Sequence, residues 1–277
     1  MLVFPNSKIN LGLHVVDKRP DGFHNIETVF YPVNWNDVLE VIETRDTQTS
    51  FTITYSGIAI DGSIENNLIY KAWKIIAAEK NLPSLKLHLH KNIPMGAGLG
   101  GGSSDAAHFI NLLNMQFNLS YTIRQKIEIA AKLGSDCAFF INNTPLLAKG
   151  KGDEFSQLHV DLSQYHILLV YPAIHCNTKE VYQGLTPKQP DQNLVQILSY
   201  THPRDWKNKL VNDFELSVFE KYPIIGSLKK QLYQNDALYA SLSGSGSTVF
   251  GIFEKEPALI FPDTYLTFLQ KPLTKIL

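Results

Sequence analysis

Cysteine is scarce in this chain. Its 277 residues include only Cys137 and Cys176, too few for a disulfide framework, and their spacing is not that of a metal site. A reducing compartment is the expectation. An excess of charge of one sign is also missing: 25 basic residues face 26 acidic ones, a formal net charge of −1. No global field therefore attracts nucleic acid or an anionic membrane, and neither is expected as a partner. Any phosphate site must be local. Long apolar runs are absent too. Ile167 to Tyr171 is strand-sized and far too short to span a bilayer. Met1 to Leu11 lacks the basic and apolar segments of a secretory leader, so a cytoplasmic protein is expected. What remains is 44% apolar and 18% charged, a composition that excludes disorder, collagen and coiled coil. At about 150 residues per domain, the length suggests one large domain or two modest ones.

Periodicity supplies the elements. Ile9 to Val16 and Ile26 to Val33 read as strands around a Pro20-Asp21-Gly22 turn. Val38 to Glu43 and Phe51 to Tyr55 alternate as half-buried strands do, and Leu85, Leu87 and Leu89 alternate with Lys86, His88 and His90. Helices are predicted over Asn67 to Lys80, Ala106 to Phe117 and Ile123 to Leu133, the last stopped by Gly134. After a turn-rich break at Lys149 to Asp153, strands are predicted at His166 to Tyr171, Tyr239 to Leu242 and Val249 to Phe253. Helices are predicted at Leu194 to Ser199, Trp206 to Phe219 and Ile224 to Tyr233. A domain boundary is expected near residues 155 to 165.

Seven of the twelve residues from Gly96 to Ala107 are Gly or Ser. A simple turn needs one or two glycines; five imply that the backbone itself approaches something. Lying just before a helix, where unpaired N–H groups meet the positive end of the macrodipole, the segment reads as an anion site with phosphate as its guest. It contains Gly96-x-Gly98-x-x-Gly101, yet a dinucleotide fold does not fit. The preceding strand carries Lys and His, and helical spacing resumes where a second strand should follow. A Walker A loop fails because no Lys-Ser or Lys-Thr follows the glycines, and the protein-kinase signatures are missing.

Three motifs, in order, resemble those of the GHMP kinase superfamily. Pro5-Asn6-Ser7-Lys8-Ile9-Asn10-Leu11 is similar to its N-terminal motif. Pro94-x-x-x-Gly98-Leu99-Gly100-x-x-x-Ser104 is similar to its phosphate loop, and Leu242-Ser243-Gly244-Ser245-Gly246-Ser247 to its C-terminal glycine motif. Asp21-Gly22-Phe23-His24, Asn67-Leu68-Ile69, Gly134-Ser135-Asp136 and Asn212-Asp213-Phe214-Glu215 narrow the resemblance. They point to the branch acting on a cytidyl-diphosphate-linked methylerythritol of the non-mevalonate isoprenoid route. Departures are Phe23 where the family usually has Tyr, Ser135 for a usual Ala and Cys137 for a usual Val. Homoserine, mevalonate and phosphomevalonate kinases share the loop, but not a reason for Asp21 to His24. A non-catalytic ligand-binding relative is the other alternative.

The resemblance implies an α+β fold with mixed or antiparallel sheets packed against helices. It implies a nucleotide-binding domain over 1–160, a second domain over 161–277 contributing to substrate binding, and an active site in the cleft between them. ATP with Mg²⁺ is the implied co-substrate, and a cytidyl-diphosphate-linked polyol the acceptor. Asp136 is the candidate base, paired with Lys8; on position alone Asp136 also reads as a turn aspartate, and Lys8 as a solvated lysine. Nucleotide contacts fall to Asn66, Leu68, Pro94, Met95, Gly96, Ala97, Gly98, Leu99, Gly100, Gly101, Gly102, Ser103 and Ser104, with Ser104 also a candidate Mg²⁺ ligand. Substrate contacts fall to Asn10, Phe23, His24, Thr178, Tyr182, Gly244 and Ser245. Phe23 is the ring expected to stack on a pyrimidine, and His24 the reader of its edge. His88 and His90 could chelate a metal, or simply form a polar strand face.

Overall fold

The computed structural model describes residues 1–45 and 50–273. In chain order the strands are β1 (Leu2–Val3), β2 (Asn6–Lys18), β3 (His24–Asn36), β4 (Val38–Thr44), β5 (Phe51–Gly57), β6 (Ser84–Lys91), β7 (Leu146–Lys149), β8 (Glu154–Gln157), β9 (His166–Tyr171), β10 (Tyr239–Leu242), β11 (Val249–Phe253) and β12 (Leu266–Gln270). The helices are α1 (Leu68–Glu79), α2 (Gly101–Gln116), α3 (Ile123–Ala131), α4 (Ser135–Asn142), α5 (Thr178–Gln183), α6 (Leu194–Tyr200), α7 (Glu215–Lys221) and α8 (Pro223–Gln234). The chain divides into two compact units that interleave in sequence. One comprises 1–7, 34–95 and 100–144; the other comprises 8–33, 96–99 and 145–277.

In the first unit the sheet order is β1-β4-β6-β5. β4 runs antiparallel to β6, with Leu39 opposite Leu89 and Val41 opposite Leu87, while β5 is parallel to β6 across the α1 crossover. The period of two in β6 buries Leu85, Leu87 and Leu89 and leaves Lys86, His88 and His90 exposed. α1 begins at Asn67, whose side chain accepts from the Ile69 amide at 2.8 Å, and buries Ile69, Ala72 and Ile76. α3 carries a capping box between Thr122 and Gln125.

Two expectations change here. α2 starts at Gly101, not Ala106, because Gly100 adopts φ +71° as the N-cap and its carbonyl accepts from the Ser104 amide. Residues after Gly134 form α4, so Asp136 sits in a first helical turn and not in an open turn. The continuous apolar run Cys137 to Ile141 hid this helix, since a fully buried segment shows no amphipathic period.

The second unit contains two sheets, ordered β2-β3-β7-β8 and β10-β11-β9-β12. The turn-rich break is the β7–β8 hairpin, with Gly150 at φ +63° and Ala148 opposite Phe155. β9 lies between β11 and β12, antiparallel to both. Leu13, Val15, Val170, Val249, Phe214, Leu228 and Leu232 share one core, with α8 packed on β10 and β11. The helix predicted over Trp206 to Phe219 is confined to α7. Before it, the backbone pairs with β2: Leu13 N donates to Val211 O, and Asp213 N to Leu13 O, each at 2.9 Å. Those bonds replace the helical ladder.

Candidate active site

Each unit carries part of the predicted constellation. In the first unit a cavity of about 250 Å³ is walled by Ile53, Tyr55, Leu68, Leu89 and Met95, with Asn66, Asn67 and Gly102 at its polar side. Four predicted nucleotide residues, Asn66, Leu68, Met95 and Gly102, therefore meet there. The volume falls below the roughly 300–1,000 Å³ of a pocket for a whole drug-sized ligand and suits one flat heterocycle. The first turn of α2, Gly101 to Ser104, opens beside it. Ser104 is fully buried, and its hydroxyl lies 3.2 Å from His108 Nδ1. Ser103 bonds the Cys137 thiol, whose pKa burial pushes up to about 11, so this thiol is not a nucleophile. Pro94 is buried at the entry to the loop. Asp136 occupies the first turn of α4, where the macrodipole favours a carboxylate.

Lys91 and Asp105, at the inner wall of this cavity, belong to a buried cluster that sequence reasoning missed. Lys91 Nζ donates to Asp105 Oδ2 at 2.8 Å and also to Asp37 Oδ2. Asp37 Oδ1 accepts from the amides of Asn92 and Ile93 at 2.6 and 2.8 Å. Asp37, Lys91 and Asp105 are 0%, 2% and 3% exposed, so one cation and two carboxyls share a dry site. Asp105 has the poorer partners, since its Oδ1 has none among the described residues. Burial, reinforced by Asp37, outweighs Lys91 and pushes the Asp105 carboxyl up to about 7. Burial lowers the Lys91 pKa, but the two carboxylates more than offset it. A Cβ on Gly101 would sit 3.0 Å from Lys91 Nζ and 2.9 Å from Ile93 Cγ2. That is why the helix opens on glycine.

In the second unit the segment Gly96 to Leu99 has all its inner carbonyls tied back. Ala97 O accepts from Thr248 N at 3.2 Å, Gly98 O from Ser243 Oγ at 2.9 Å and Leu99 O from Lys8 N at 2.9 Å. No amide from Gly96 to Leu99 donates within the described residues. With these carbonyls tied back and the amides undonated, the segment's free hydrogen-bonding capacity is on its donors, the kind of backbone cradle that suits anionic oxygens. Gly96 and Gly98 take φ +63° and +81°. A Cβ on Gly98 would lie 2.0 Å from Ser243 O, so no other residue fits. Gly244, at φ +55°, lies against Gly98 and Asn10 Oδ1.

Lys8 is buried, its Nζ donating to Asn10 Oδ1 at 2.7 Å and lying 5.0 Å from the Phe30 ring centroid. Asn10 Nδ2 in turn donates to Thr28 Oγ1 at 3.0 Å. Neither lysine nor asparagine is a solvated surface group. His24 stacks on Tyr182, and Thr178 Oγ1 lies 2.8 Å from Ser245 Oγ. Phe23 is set apart: it is 61% exposed, with Lys151 Nζ 5.4 Å from its ring.

His88 and His90 are joined by Ser56, whose Oγ is 2.8 Å from His88 Nε2 and 2.9 Å from His90 Nδ1. Among the described residues no group of three or more His, Cys, Asp or Glu is placed to hold a metal ion. No helix among them is long and apolar enough to cross a membrane.

Residues 67–143 match the family described as GHMP kinases N terminal domain, and residues 196–260 match GHMP kinases C terminal. The α+β architecture is that of this class of kinase. A crystal structure of 4-(cytidine 5'-diphospho)-2C-methyl-D-erythritol kinase superposes with a TM-score of 0.73 at 26% identity, covering 91% of this chain and 90% of the other. A 4-diphosphocytidyl-2-C-methyl-D-erythritol kinase of Cytophaga hutchinsonii is 50% identical over 266 residues, 95% of this chain and 96% of the relative. One of Bacteroides fragilis is 46% identical over 268 residues, 97% of each. The chain belongs to the GHMP kinases, in the family of 4-diphosphocytidyl-2-C-methyl-D-erythritol kinases.

Proposed function

We propose that this chain transfers the γ-phosphoryl group of ATP to a hydroxyl of 4-diphosphocytidyl-2-C-methyl-D-erythritol, in non-mevalonate isoprenoid precursor synthesis in the cytoplasm. The observation that carries the reading is the cradle at Gly96 to Leu99, with its carbonyls tied back and its amides open. It sits in a chain about half identical to relatives named for this reaction. Phosphoryl transfer demands chiefly positioning and charge stabilisation, which such a cradle supplies.

In this reading Asp136 takes the proton of the substrate hydroxyl. The oxygen attacks the γ-phosphorus, the bond to the β-phosphate oxygen breaks, and ADP leaves. Lys8 supplies positive charge that offsets charge on the moving phosphoryl group. Mg²⁺ arrives with ATP, and Ser104 is its proposed protein contact. Asn66, Leu68 and Met95 hold the base of ATP, and the loop from Gly96 through Ser104 its phosphates. Asn10, Phe23, His24, Thr178, Tyr182, Gly244 and Ser245 hold the cytidyl substrate. Functionally, residues 1–160 bind nucleotide and residues 161–277 contribute to the acceptor side.

Incubating the protein with MgATP and the cytidyl substrate, followed by mass-spectrometric product identification, tests the reaction. ADP and a singly phosphorylated substrate in equal amounts are expected. No product from this acceptor, with turnover of homoserine, mevalonate or phosphomevalonate, would overturn the assignment.

A further inference from the structure

The segment Asn212-Asp213-Phe214-Glu215 has no role in the chemistry above, yet three of its four side chains make directed polar bonds. Asp213 Oδ2 accepts from the Val15 amide at 2.8 Å. Glu215 Oε1 accepts from the Leu242 amide and from Ser241 Oγ, both at 3.0 Å, while Lys229 Nζ holds Oε2 at 2.6 Å. The segment is thereby fixed to β2 and β10. From that fixed base the Asn212 side chain, 3% exposed, reaches the C-terminal glycine loop. Its Nδ2 donates to Leu242 O and to Gly244 O, both at 2.9 Å, and its Oδ1 accepts from the Phe214 amide at 3.0 Å. Only a carboxamide offers two donors on one atom beside an acceptor.

The loop it holds would otherwise be pliable. Gly244 and Gly246 both have positive φ, at +55° and +87°, and glycine leaves many backbone states open. Between the two carbonyls gripped by Asn212 lies Ser243, whose hydroxyl donates to Gly98 O and whose own carbonyl fills the space where a Gly98 Cβ would stand. Thr248, at the far end of the loop, donates its amide to Ala97 O. Two of the three carbonyls tied back in the anion cradle are thus held by a loop whose shape Asn212 sets.

We propose that Asn212 is a positioning residue for phosphate binding: through Ser243 and Thr248 it presets the Gly96 to Leu99 cradle before the nucleotide arrives. The role rests on the kinase reading given above. The ordering entropy of the cradle is met during folding, so the free energy of nucleotide binding is not drained by it.

Amide hydrogen exchange and steady-state kinetics on the full chain test this with Asn212→Asp and Ser243→Ala. The first substitution keeps the shape of the side chain but replaces its two donors with an acceptor facing two carbonyls. In that variant the amides of Thr248 and Lys8, which bond cradle carbonyls, are expected to exchange at least tenfold faster, while those of Leu169 and Phe250 in β9 and β11 stay unchanged. KM for MgATP rises at least tenfold, more than kcat falls. Ser243→Ala leaves Asn212 in place and is expected to speed exchange at Lys8 and Thr248 by a smaller factor. Unchanged exchange at both amides in either folded variant overturns the proposal, as does a uniform rise across β9 and β11, which marks general destabilisation. If wild-type protein fails to phosphorylate the cytidyl substrate yet the exchange pattern holds, the kinase reading falls and the positioning role stands.

Discussion

His24 lies nearly flat against Tyr182, with ring centroids 4.8 Å apart and planes 19° from parallel. Tyr182 in turn packs against Phe214 in a T-shaped contact, centroids 4.8 Å apart and planes at 81°. In the proposed reading, these stacked rings offer a face to the pyrimidine of the cytidyl substrate. Tyr182→Ala is expected to weaken binding of the cytidyl substrate by about tenfold, the lower part of the roughly 1–3 kcal/mol range for base stacking, with KM for MgATP within about twofold. Calorimetric titration with the cytidyl substrate checks this, and unchanged affinity would remove Tyr182 from the site.

Asp136→Asn preserves shape and the first turn of α4 while removing the proton acceptor. Turnover is expected to fall by about 10²–10⁴-fold, the usual worth of general-base assistance. Nucleotide affinity, measured by equilibrium titration, should stay near the wild-type value. Near-normal turnover would take the base role away from Asp136.

Gly98→Ala places a methyl where Ser243 O stands, 2.0 Å from the new carbon, at a residue held at φ +81°. The backbone must move, and with it the cradle. A loss of stability above about 1 kcal/mol is expected, since both the strain and the clash act on the folded state, together with loss of ATP binding. Urea unfolding and nucleotide titration read the two effects separately.

Asp105 gives the molecule a pH-dependent stability. Its carboxyl is raised from an ordinary 3.8 to about 7 in the folded protein. Between those values the folded state holds a proton that the unfolded state has released, so stability falls as pH rises through the window and levels off above about pH 7. Asp105→Asn cannot titrate, and Lys91 still has Asp37. The urea midpoint of the variant relative to wild type is therefore expected to improve from pH 5 to pH 8. A difference that does not change with pH would show that Asp105 stays ionised throughout.

Much of the candidate site is legible in the sequence. The glycine density from Gly96 to Gly102 demanded a close backbone approach, and the motif order around it supplied the class of chemistry. The buried cluster at Lys91 left a fainter trace. Leu85, Leu87 and Leu89 set a period of two that puts Lys91 on the buried face of β6, and a lysine in that phase requires partners. Nothing in the sequence says that Asp37 and Asp105 are those partners, because they come from separate segments of the chain. α4 was invisible for the opposite reason: its run from Cys137 to Ile141 is buried throughout and has no polar face to give it a period.

Local pattern by itself determined most strands, most helices and a glycine-rich backbone segment at 96–102, because each depends on side-chain period or on glycine's range of φ. Only the tertiary structure decided which groups hold that backbone. Lys8, Ser243 and Thr248 reach the carbonyls of Gly96 to Leu99 from segments about 90 to 150 residues away in sequence. Hydrogen bonds between such distant segments form only once β2 and the β10–β11 connection have been assembled into their sheets, and no short stretch of sequence encodes that meeting.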